Sequence, residues 1–232
     1  MELLLLSNST GDKGYLVHAL DLIAEFASGE KEAAFVPYAS VTRTWDEYEA
    51  KVTEALAPLG IKARSVHRMA DPAAAVRAAP LVIVGGGNTF NLLHHCRRSG
   101  VLSALREGVR NGQRYLGWSA GANLACPTIC TTNDMPVIDP EGLDALDLVS
   151  FQINPHYTNA HPPGHRGETR DQRLAEFLAA NPAVPVLALP EGGWLRIRGA
   201  AMTLGGVPTA LWMRHGRAYT TISAGPFELP RE

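Results

Sequence analysis

The sequence predicts an α/β protein with a mostly parallel central sheet, helices on both sides of that sheet and an antiparallel extension at the C-terminus. Short apolar runs alternate with amphipathic stretches as far as residue 191, which is the pattern of strands joined by crossover helices. Beyond Trp194 the apolar segments are shorter and are interrupted by glycine and proline, so antiparallel strands are expected there.

Uninterrupted apolar runs predict four early strands, at residues 3–6, 33–37, 81–84 and 115–118. Helices are expected where apolar residues recur at helical spacing, at residues 15–27, 45–57 and about 168–180. The second of these helices follows Thr44, a suitable N-cap, and stops at Pro58. The later strands are expected at residues 151–153, 184–189, 194–197, 210–213 and 218–222.

Length and charge limit the classes of protein to which the chain can belong. With 232 residues, 46% of them hydrophobic, it can bury one sizeable core, so a single domain over residues 1–232 is expected. Its 21 Lys and Arg residues nearly balance 23 Asp and Glu residues, which gives a formal net charge of -2. Such a charge creates no field that would attract nucleic acid or an anionic membrane, so neither is expected as a partner.

The N-terminus and the cysteine content both favour a cytoplasmic location. The apolar run at residues 3–6 is much shorter than the roughly 20 residues that cross a bilayer, and it lacks the basic start and cleavage site of a secretory signal. Three cysteines are too few and too unevenly spaced for a disulfide framework. We therefore expect a protein of the reducing cytoplasm.

The segment Gly117-Trp118-Ser119-Ala120-Gly121 follows a predicted strand and precedes a run that suits a helix. This is the pattern of a nucleophile elbow, in which small residues two positions either side of the serine permit a sharp turn and leave its hydroxyl exposed. The sequence therefore predicts Ser119 as a nucleophile. The alternative is a glycine-rich turn whose serine only caps the helix.

A serine nucleophile needs a base, and His156 is the best placed of the eight histidines. It follows the strand predicted at residues 151–153, so it would lie at the same sheet edge as Ser119 if that strand is parallel to its neighbour. His161 and His165 follow in a loop rich in proline and glycine, where a metal site with His156 is the alternative. Their spacing does not place them on one helix face, so no metal is expected.

The base in turn needs an acid that holds its tautomer and stabilises the imidazolium ion. Glu191 follows the strand predicted at residues 184–189 through Pro190, and a strand end is a rigid mount. Asp134 lies in the loop after the elbow helix and would give the chain order Ser, Asp, His. We favour Glu191 and keep Asp134 as the alternative.

The run Gly85-Gly86-Gly87-Asn88-Thr89 lies where a predicted strand meets a helix, so bare backbone amides can approach a ligand there. The spacing fits neither a phosphate-binding loop nor a dinucleotide fingerprint, and the phosphate lysine is absent. An oxyanion hole formed by the N–H groups of Gly87 and Ala120 is the simpler interpretation.

Six motifs in chain order, between residue 1 and about residue 194, resemble the peptidase E family of bacterial aspartyl dipeptidases. They are Gly85-Gly86-Gly87-Asn88-Thr89-Phe90, Gly117-Trp118-Ser119-Ala120-Gly121-Ala122-Asn123, Thr132-Asn133-Asp134-Met135-Pro136, Ile153-Asn154-Pro155-His156, Gly167-Glu168-Thr169-Arg170 and Leu189-Pro190-Glu191-Gly192. Two departures are Tyr157, where the family has phenylalanine, and a tail beyond Trp194 that matches only loosely.

The resemblance implies a flavodoxin-like fold similar to that of the class I glutamine amidotransferases, with serine in place of their cysteine. It implies hydrolysis of dipeptides with N-terminal aspartate, no metal or other cofactor, and a homodimer. Carried onto this chain, it makes Ser119 the nucleophile, His156 the base and Glu191 the orienting acid, with Asp134 as the family's other proposed acid.

An N-terminal aspartate presents a side-chain carboxylate, which a guanidinium can bind through two parallel hydrogen bonds. Arg170, at the start of the helix after the histidine loop, is the first choice for this role, and Arg166 is the reserve. Asn88 and Thr132 are expected to line the rest of the substrate pocket. The alternative for both arginines is an exposed side chain that forms only a surface ion pair.

Three other functions compete with the aspartyl dipeptidase. An esterase of the α/β-hydrolase type shares the elbow but has its acid before the histidine and usually a longer chain. A cyanophycinase-like peptidase would cut a polymer in place of a dipeptide. A domain that binds an anion without turnover would use the glycine loop and the elbow as a binding site.

Overall fold

The computed structural model describes residues 1–160, 163–164 and 166–230. Its helices are α1 (Leu20–Ala27), α2 (Trp45–Leu56), α3 (Pro72–Ala78), α4 (Thr89–Arg98), α5 (Val101–Arg110), α6 (Ala120–Leu124) and α7 (Arg170–Ala180). Its strands are β1 (Glu2–Leu6), β2 (Thr10–Gly11), β3 (Gly14–Tyr15), β4 (Glu32–Val36), β5 (Lys62–Ser65), β6 (Leu81–Val84), β7 (Arg114–Trp118), β8 (Gln152–Tyr157), β9 (Val186–Pro190), β10 (Trp194–Arg198), β11 (Ala201–Met213) and β12 (Thr220–Phe227).

One large sheet has the strand order β5-β4-β6-β7-β1-β10-β11-β9-β8, with β12 paired to β11, while β2 and β3 form a separate hairpin. Neighbours from β5 to β1 are parallel, as are β8 and β9. The pairs that involve β10, β11 and β12 are antiparallel. The predicted α/β fold with antiparallel C-terminal strands is confirmed. Strands β10 and β11 lie inside the sheet, however, where they join its two parallel parts.

Strand β1 shows why the early strands are uninterrupted apolar runs. Leu3 and Leu5 pack in the cluster that contains the buried residues of α3 to α6, and Leu4 and Leu6 pack with α1 and α2. All four leucines are at most 1% exposed, because helices cover both faces of the sheet. Burial of each such side chain stabilises the fold by roughly 1.5–3 kcal/mol.

The helix predicted at residues 15–27 begins only at Leu20, so its predicted start was wrong. Tyr15 belongs to the β2–β3 hairpin, and Leu16 has a φ of 60° and donates its N–H to the Ser9 carbonyl at 2.6 Å. A 3₁₀ turn, Val17–Ala19, then leads into α1. Leu16 is fully buried, as its apolar spacing predicts. That spacing cannot reveal that the backbone at Leu16 is left-handed, so that the helix starts later.

The other boundaries differ less. Helix α2 is confirmed with its capping box of Thr44 and Glu47, and Pro58 lies in a following 3₁₀ turn, Ala57–Leu59. Helix α7 starts later than predicted, after its N-cap Thr169. The predicted strands at 151–153, 210–213 and 218–222 are longer in the structure, and the strand predicted at 184–189 is shifted to Val186–Pro190.

Strand β11 changes partner along its length, which brings distant strand ends together. Its first residues pair with β10 and its last three pair with β9, and its pairing with β12 is irregular between Leu204 and Thr209. Such irregularities bend a strand. Because β10 and β9 pair with successive parts of β11, β9 ends close to the start of β10, whose first residue, Trp194, pairs with Leu6 at the end of β1. The C-terminal ends of β1, β8 and β9 therefore meet, although three antiparallel pairings separate β1 from β9 in the sheet.

Ser7 lies at this meeting point, directly after β1. Its buried hydroxyl donates to the Leu189 carbonyl at 2.9 Å and accepts from the His156 N–H at 2.8 Å. Its own N–H donates to the Gly193 carbonyl at 2.8 Å. One serine therefore connects the ends of three strands.

We expect Ser7→Ala to lower the free energy of unfolding by about 1–3 kcal/mol, because the His156 N–H and the Leu189 carbonyl both lose a partner away from bulk water. Urea denaturation measures the change. Ser223→Ala, at an exposed position on β12, is the matched control and should stay within about 0.5 kcal/mol of the wild type. Equal stability of the two variants would show that the Ser7 hydroxyl does not hold the strand ends.

Candidate active site

Ser119 lies between β7 and α6 in the backbone conformation of a sharp turn, with φ 54° and ψ -115°. Its N–H donates to the Leu6 carbonyl at 3.0 Å, which ties the turn to the end of β1. A Cβ atom on Gly121 would overlap the Val84 carbonyl, and one on Gly117 would lie 2.5 Å from the Gly121 carbonyl oxygen. These close approaches are the physical reason for the small residues that flank the serine.

His156 also has an unusual backbone conformation, since its φ, like that of Ser119, is 54°. It lies in β8, where the register with β9 shifts between Asn154 and Tyr157. Its Nε2 atom is 2.9 Å from Ser119 Oγ, and its Nδ1 atom is 2.8 Å from Glu191 Oε1. A proton on Nδ1 would pair with the carboxylate and leave Nε2 free to accept the serine proton.

Glu191 follows β9 in a turn that is held on both sides. The Gly192 N–H donates to Asn8 Oδ1 at 2.6 Å, and the Gly193 N–H donates to the Pro190 carbonyl at 3.0 Å. The Glu191 side chain is 67% exposed, so water screens its attraction for a charged imidazole. Its geometry therefore suits it to orient the ring more than to stabilise a buried charge.

Asp134, the alternative acid, bonds to a different part of the site. Its Oδ2 atom accepts from the N–H and the hydroxyl of Thr89 at 2.7 and 2.6 Å, and from the Thr132 hydroxyl at 3.0 Å. Thr89 is the first residue of α4, where a negative charge is stabilised by the helix dipole. The structure thus pairs His156 with Glu191, and the Asp134 carboxylate contacts the first residue of the helix that follows the glycine loop.

The glycine loop lies close to Ser119, between the ends of β6 and α4. Gly87 has a φ of 138°, and a Cβ atom there would overlap the Ala39 carbonyl, so the position requires glycine. Asn88 caps α4 by accepting from the Asn91 N–H at 3.0 Å. Gly86 and Gly87 line a cavity that also contains the Ser119 and His156 side chains. Ala120 follows the serine directly and begins α6, so its N–H is among the unpaired first amides of that helix.

The three residues expected in the substrate pocket have different positions. Asn88 lines the cavity beside Ser119. The Thr132 hydroxyl bonds to Thr89 and Asp134 at the start of α4, and Thr132 is not among the residues that line the cavity. Arg170 is half-buried and donates to Asn154 Oδ1 at 3.0 Å. Asn154 lies on β8, two residues before His156. Burial, followed by the charge of Arg173, lowers the pKa of the Arg170 guanidinium.

The cavity has a volume of about 350 Å³ and includes residues that the motifs did not indicate. They come from the β2–β3 hairpin, the loop before α2 and α2 itself, among them Tyr15, Arg43, Tyr48 and Lys51. The Tyr48 hydroxyl donates to the Gly86 carbonyl at 3.0 Å, and burial raises its pKa. Ser7 was also missed, although its position directly after the first strand would have placed it at the sheet edge.

Two findings bear on the other expectations. No group of three His, Cys, Asp or Glu side chains suited to a metal ion occurs within residues 1–160, 163–164 and 166–230. His161 and His165, the alternative metal ligands, lie outside the described residues. In the same ranges no helix has both the length and the apolar character needed to cross a bilayer.

Comparison with known proteins identifies the family of this chain. The model of peptidase family S51 matches residues 3–205. Peptidase E of Salmonella heidelberg (strain SL476) is 54% identical over 226 residues, which cover 97% of this chain and 99% of the relative. Peptidase E of Escherichia coli O1:K1 / APEC is 53% identical with the same coverage.

Solved structures agree at the level of the fold. A candidate peptidase E from Listeria monocytogenes EGD-e superposes with a TM-score of 0.67 at 25% identity, over 89% of this chain and 98% of the other. A peptidase from an acI-B1 Actinobacterium superposes with a TM-score of 0.71 at 15% identity, over 98% and 96%. The family model and the two curated relatives span nearly the whole length of the sequence, and on that basis the chain belongs to peptidase family S51.

Proposed function

We propose that this protein is a serine dipeptidase that hydrolyses dipeptides with N-terminal aspartate. Membership of a peptidase family makes peptides its substrates. The observation that carries the serine mechanism is the continuous contact from Ser119 Oγ through His156 to Glu191, with distances of 2.9 and 2.8 Å. The aspartyl specificity rests on the sequence resemblance and on the name peptidase E that the relatives carry.

In the proposed reaction, Ser119 Oγ attacks the scissile carbonyl while His156 Nε2 accepts its proton. The oxyanion of the tetrahedral intermediate accepts hydrogen bonds from the N–H groups of Gly87 and Ala120. The intermediate collapses as His156 donates the proton to the leaving amine, which gives an aspartyl ester of Ser119. Water, deprotonated by the same histidine, then hydrolyses that ester and frees the serine.

Asp134 has a positioning role in this proposal. It fixes the first turn of α4 through Thr89, and Asn88 also donates to the Met135 carbonyl at 2.8 Å. Both contacts join the loop around Asp134 to the helix that begins directly after the glycine loop. The Gly87 amide therefore depends on Asp134 for its position, and the tautomer of His156 depends on Glu191.

Arg170 is proposed to bind the side-chain carboxylate of the substrate aspartate. Its guanidinium has five N–H donors, of which Nη1 contacts Asn154, so a bidentate bond to a carboxylate is chemically available. Partial burial lowers the pKa of this guanidinium, because its charge is poorly solvated. A bound carboxylate would compensate that charge, whereas the amide of asparagine would not.

Among the alternatives, the esterase of α/β-hydrolase type fits least well, because the acid that contacts His156 follows it in the chain. Arg170 could bind an anion both in an aspartyl dipeptidase and in a domain that merely binds anions. Only the observation of turnover separates these two functions. A cyanophycinase-like activity would require the same triad, so the size of the accepted substrate separates it from a dipeptidase.

We expect Ser119→Ala to lower kcat/KM for Asp-Leu by at least about 10⁴-fold, because the nucleophile is lost. Its circular dichroism and melting temperature should match those of the wild type, since among the described residues the hydroxyl forms a hydrogen bond only with His156. Ser223→Ala serves as the surface control and should keep full activity. Activity of Ser119→Ala near the wild-type level would refute the serine mechanism.

We expect the wild type to hydrolyse Asp-Leu at least about 100-fold faster than Asn-Leu, as judged by kcat/KM. Arg170→Met should remove most of that preference by slowing Asp-Leu alone. Arg173→Met is the matched control, because Arg173 is an exposed arginine on the same helix. If Arg170→Met slows both substrates equally, Arg170 supports the structure and does not bind the aspartyl side chain.

We further propose, from the same resemblance, that the protein acts in the cytoplasm as a homodimer. Its three cysteines are free, as a reducing compartment requires. Sedimentation equilibrium should give about twice the chain mass of 24.9 kDa at micromolar concentration. A single species at the monomer mass over that range would contradict the dimer and leave the catalytic proposal intact.

A further inference from the structure

The cavity beside Ser119 contains two cations and no anion among the described residues. Lys51 and Arg43 line it, and none of its lining residues is aspartate or glutamate. In the described part of the chain, neither side chain takes part in an ion pair. The nucleophile therefore faces a positively charged pocket.

Lys51 is held in place and is not a free surface side chain. It is partly buried on α2, and its Nζ atom lies 4.0 Å from the centroid of the Tyr15 ring, a cation–π contact. The Tyr15 hydroxyl is 3.4 Å from the Tyr48 hydroxyl, which in turn donates to the Gly86 carbonyl. Through these contacts the ammonium group is connected to the glycine loop.

The surroundings of Lys51 disfavour its charge when the cavity holds no anion. Burial, followed by the charge of Arg43, lowers the pKa of Lys51. Tyr15 and Tyr48 cannot supply a countercharge, because burial raises the pKa of both hydroxyls and keeps them neutral. A carboxylate in the cavity would gain two cationic partners and relieve their mutual repulsion.

Of the substrate's carboxylates, the one at the C-terminus is available for this position. An Asp-X dipeptide carries two, on the aspartyl side chain and at the C-terminus of the leaving residue. The proposed function assigns the first to Arg170, which contacts Asn154 on β8 and is not among the residues that line this cavity. The C-terminal carboxylate remains, and a volume of about 350 Å³ lies within the range of small-molecule sites.

We propose that Lys51, assisted by Arg43, binds the C-terminal carboxylate of the leaving residue and thereby favours dipeptides over longer peptides. The inference rests on the proposed aspartyl dipeptidase function. In a tripeptide or a peptide amide a neutral amide group occupies this position and leaves the ammonium without a partner. Arg43 is exposed, so solvent weakens its share and Lys51 is the main determinant.

The test compares Asp-Leu with Asp-Leu-amide, which differ only in the charge at the C-terminus. The wild type should prefer Asp-Leu by about 10-fold in kcat/KM, the effect of one charge-assisted hydrogen bond. Lys51→Met should lose that factor on Asp-Leu and stay within about 2-fold of the wild type on the amide. Lys51→Arg should keep most of the preference, because it retains the charge.

Lys62→Met is the matched control, since Lys62 is an exposed lysine on β5 and does not line the cavity. Equal losses on both substrates in Lys51→Met, or no preference in the wild type, would overturn the carboxylate site. In that case hydrolysis of Asp-Leu would still support the proposed function. A wild type that hydrolyses neither substrate would refute the proposed function and this inference together.

Discussion

The candidate site depends on a buried hydroxyl that holds three strand ends together. His156 lies in β8, Glu191 follows β9 and Ser119 follows β7. Along the sheet, β1, β10 and β11 therefore separate the strands of His156 and Glu191 from the strand that leads to Ser119. Ser7 bonds to the backbone of β8 and of β9 and follows β1, which is the neighbour of β7. The contact between imidazole and serine therefore depends on the strand ends that meet at this residue.

Backbone strain at two positions completes the geometry. Ser119 and His156 both have φ near 54°, a conformation that costs a non-glycine residue of order 1–3 kcal/mol. Each is held by contacts that leave little room to relax: the Ser119 N–H bonds to Leu6, and the His156 N–H bonds to Ser7. The side chains of these two residues are in contact, so the fold stabilises at the site a conformation that the isolated segments would not adopt.

The charged side chains of the site lie in separate places. The exposed Glu191 carboxylate contacts His156, while the Asp134 carboxylate bonds to Thr89 at the N-terminus of α4. The cations lie in two places, Arg170 beside Asn154 and Lys51 with Arg43 in the cavity. Because an Asp-X dipeptide has a carboxylate on either side of its scissile bond, two separated cationic positions match the charge pattern of the proposed substrate.

The sequence by itself determined the parallel strands, the elbow at Ser119, the glycine loop and His156, because each is encoded within a few neighbouring residues. It named Glu191 and Asp134 as possible acids, and only the tertiary structure paired Glu191 with His156. The tertiary structure also decided three further features: the insertion of β10 and β11 into the sheet, the contacts of Ser7 and the position of Lys51 in the cavity. Their partners are distant in sequence, and spacing along the chain carries no information about the distance between elements whose contacts depend on how the sheet bends and packs.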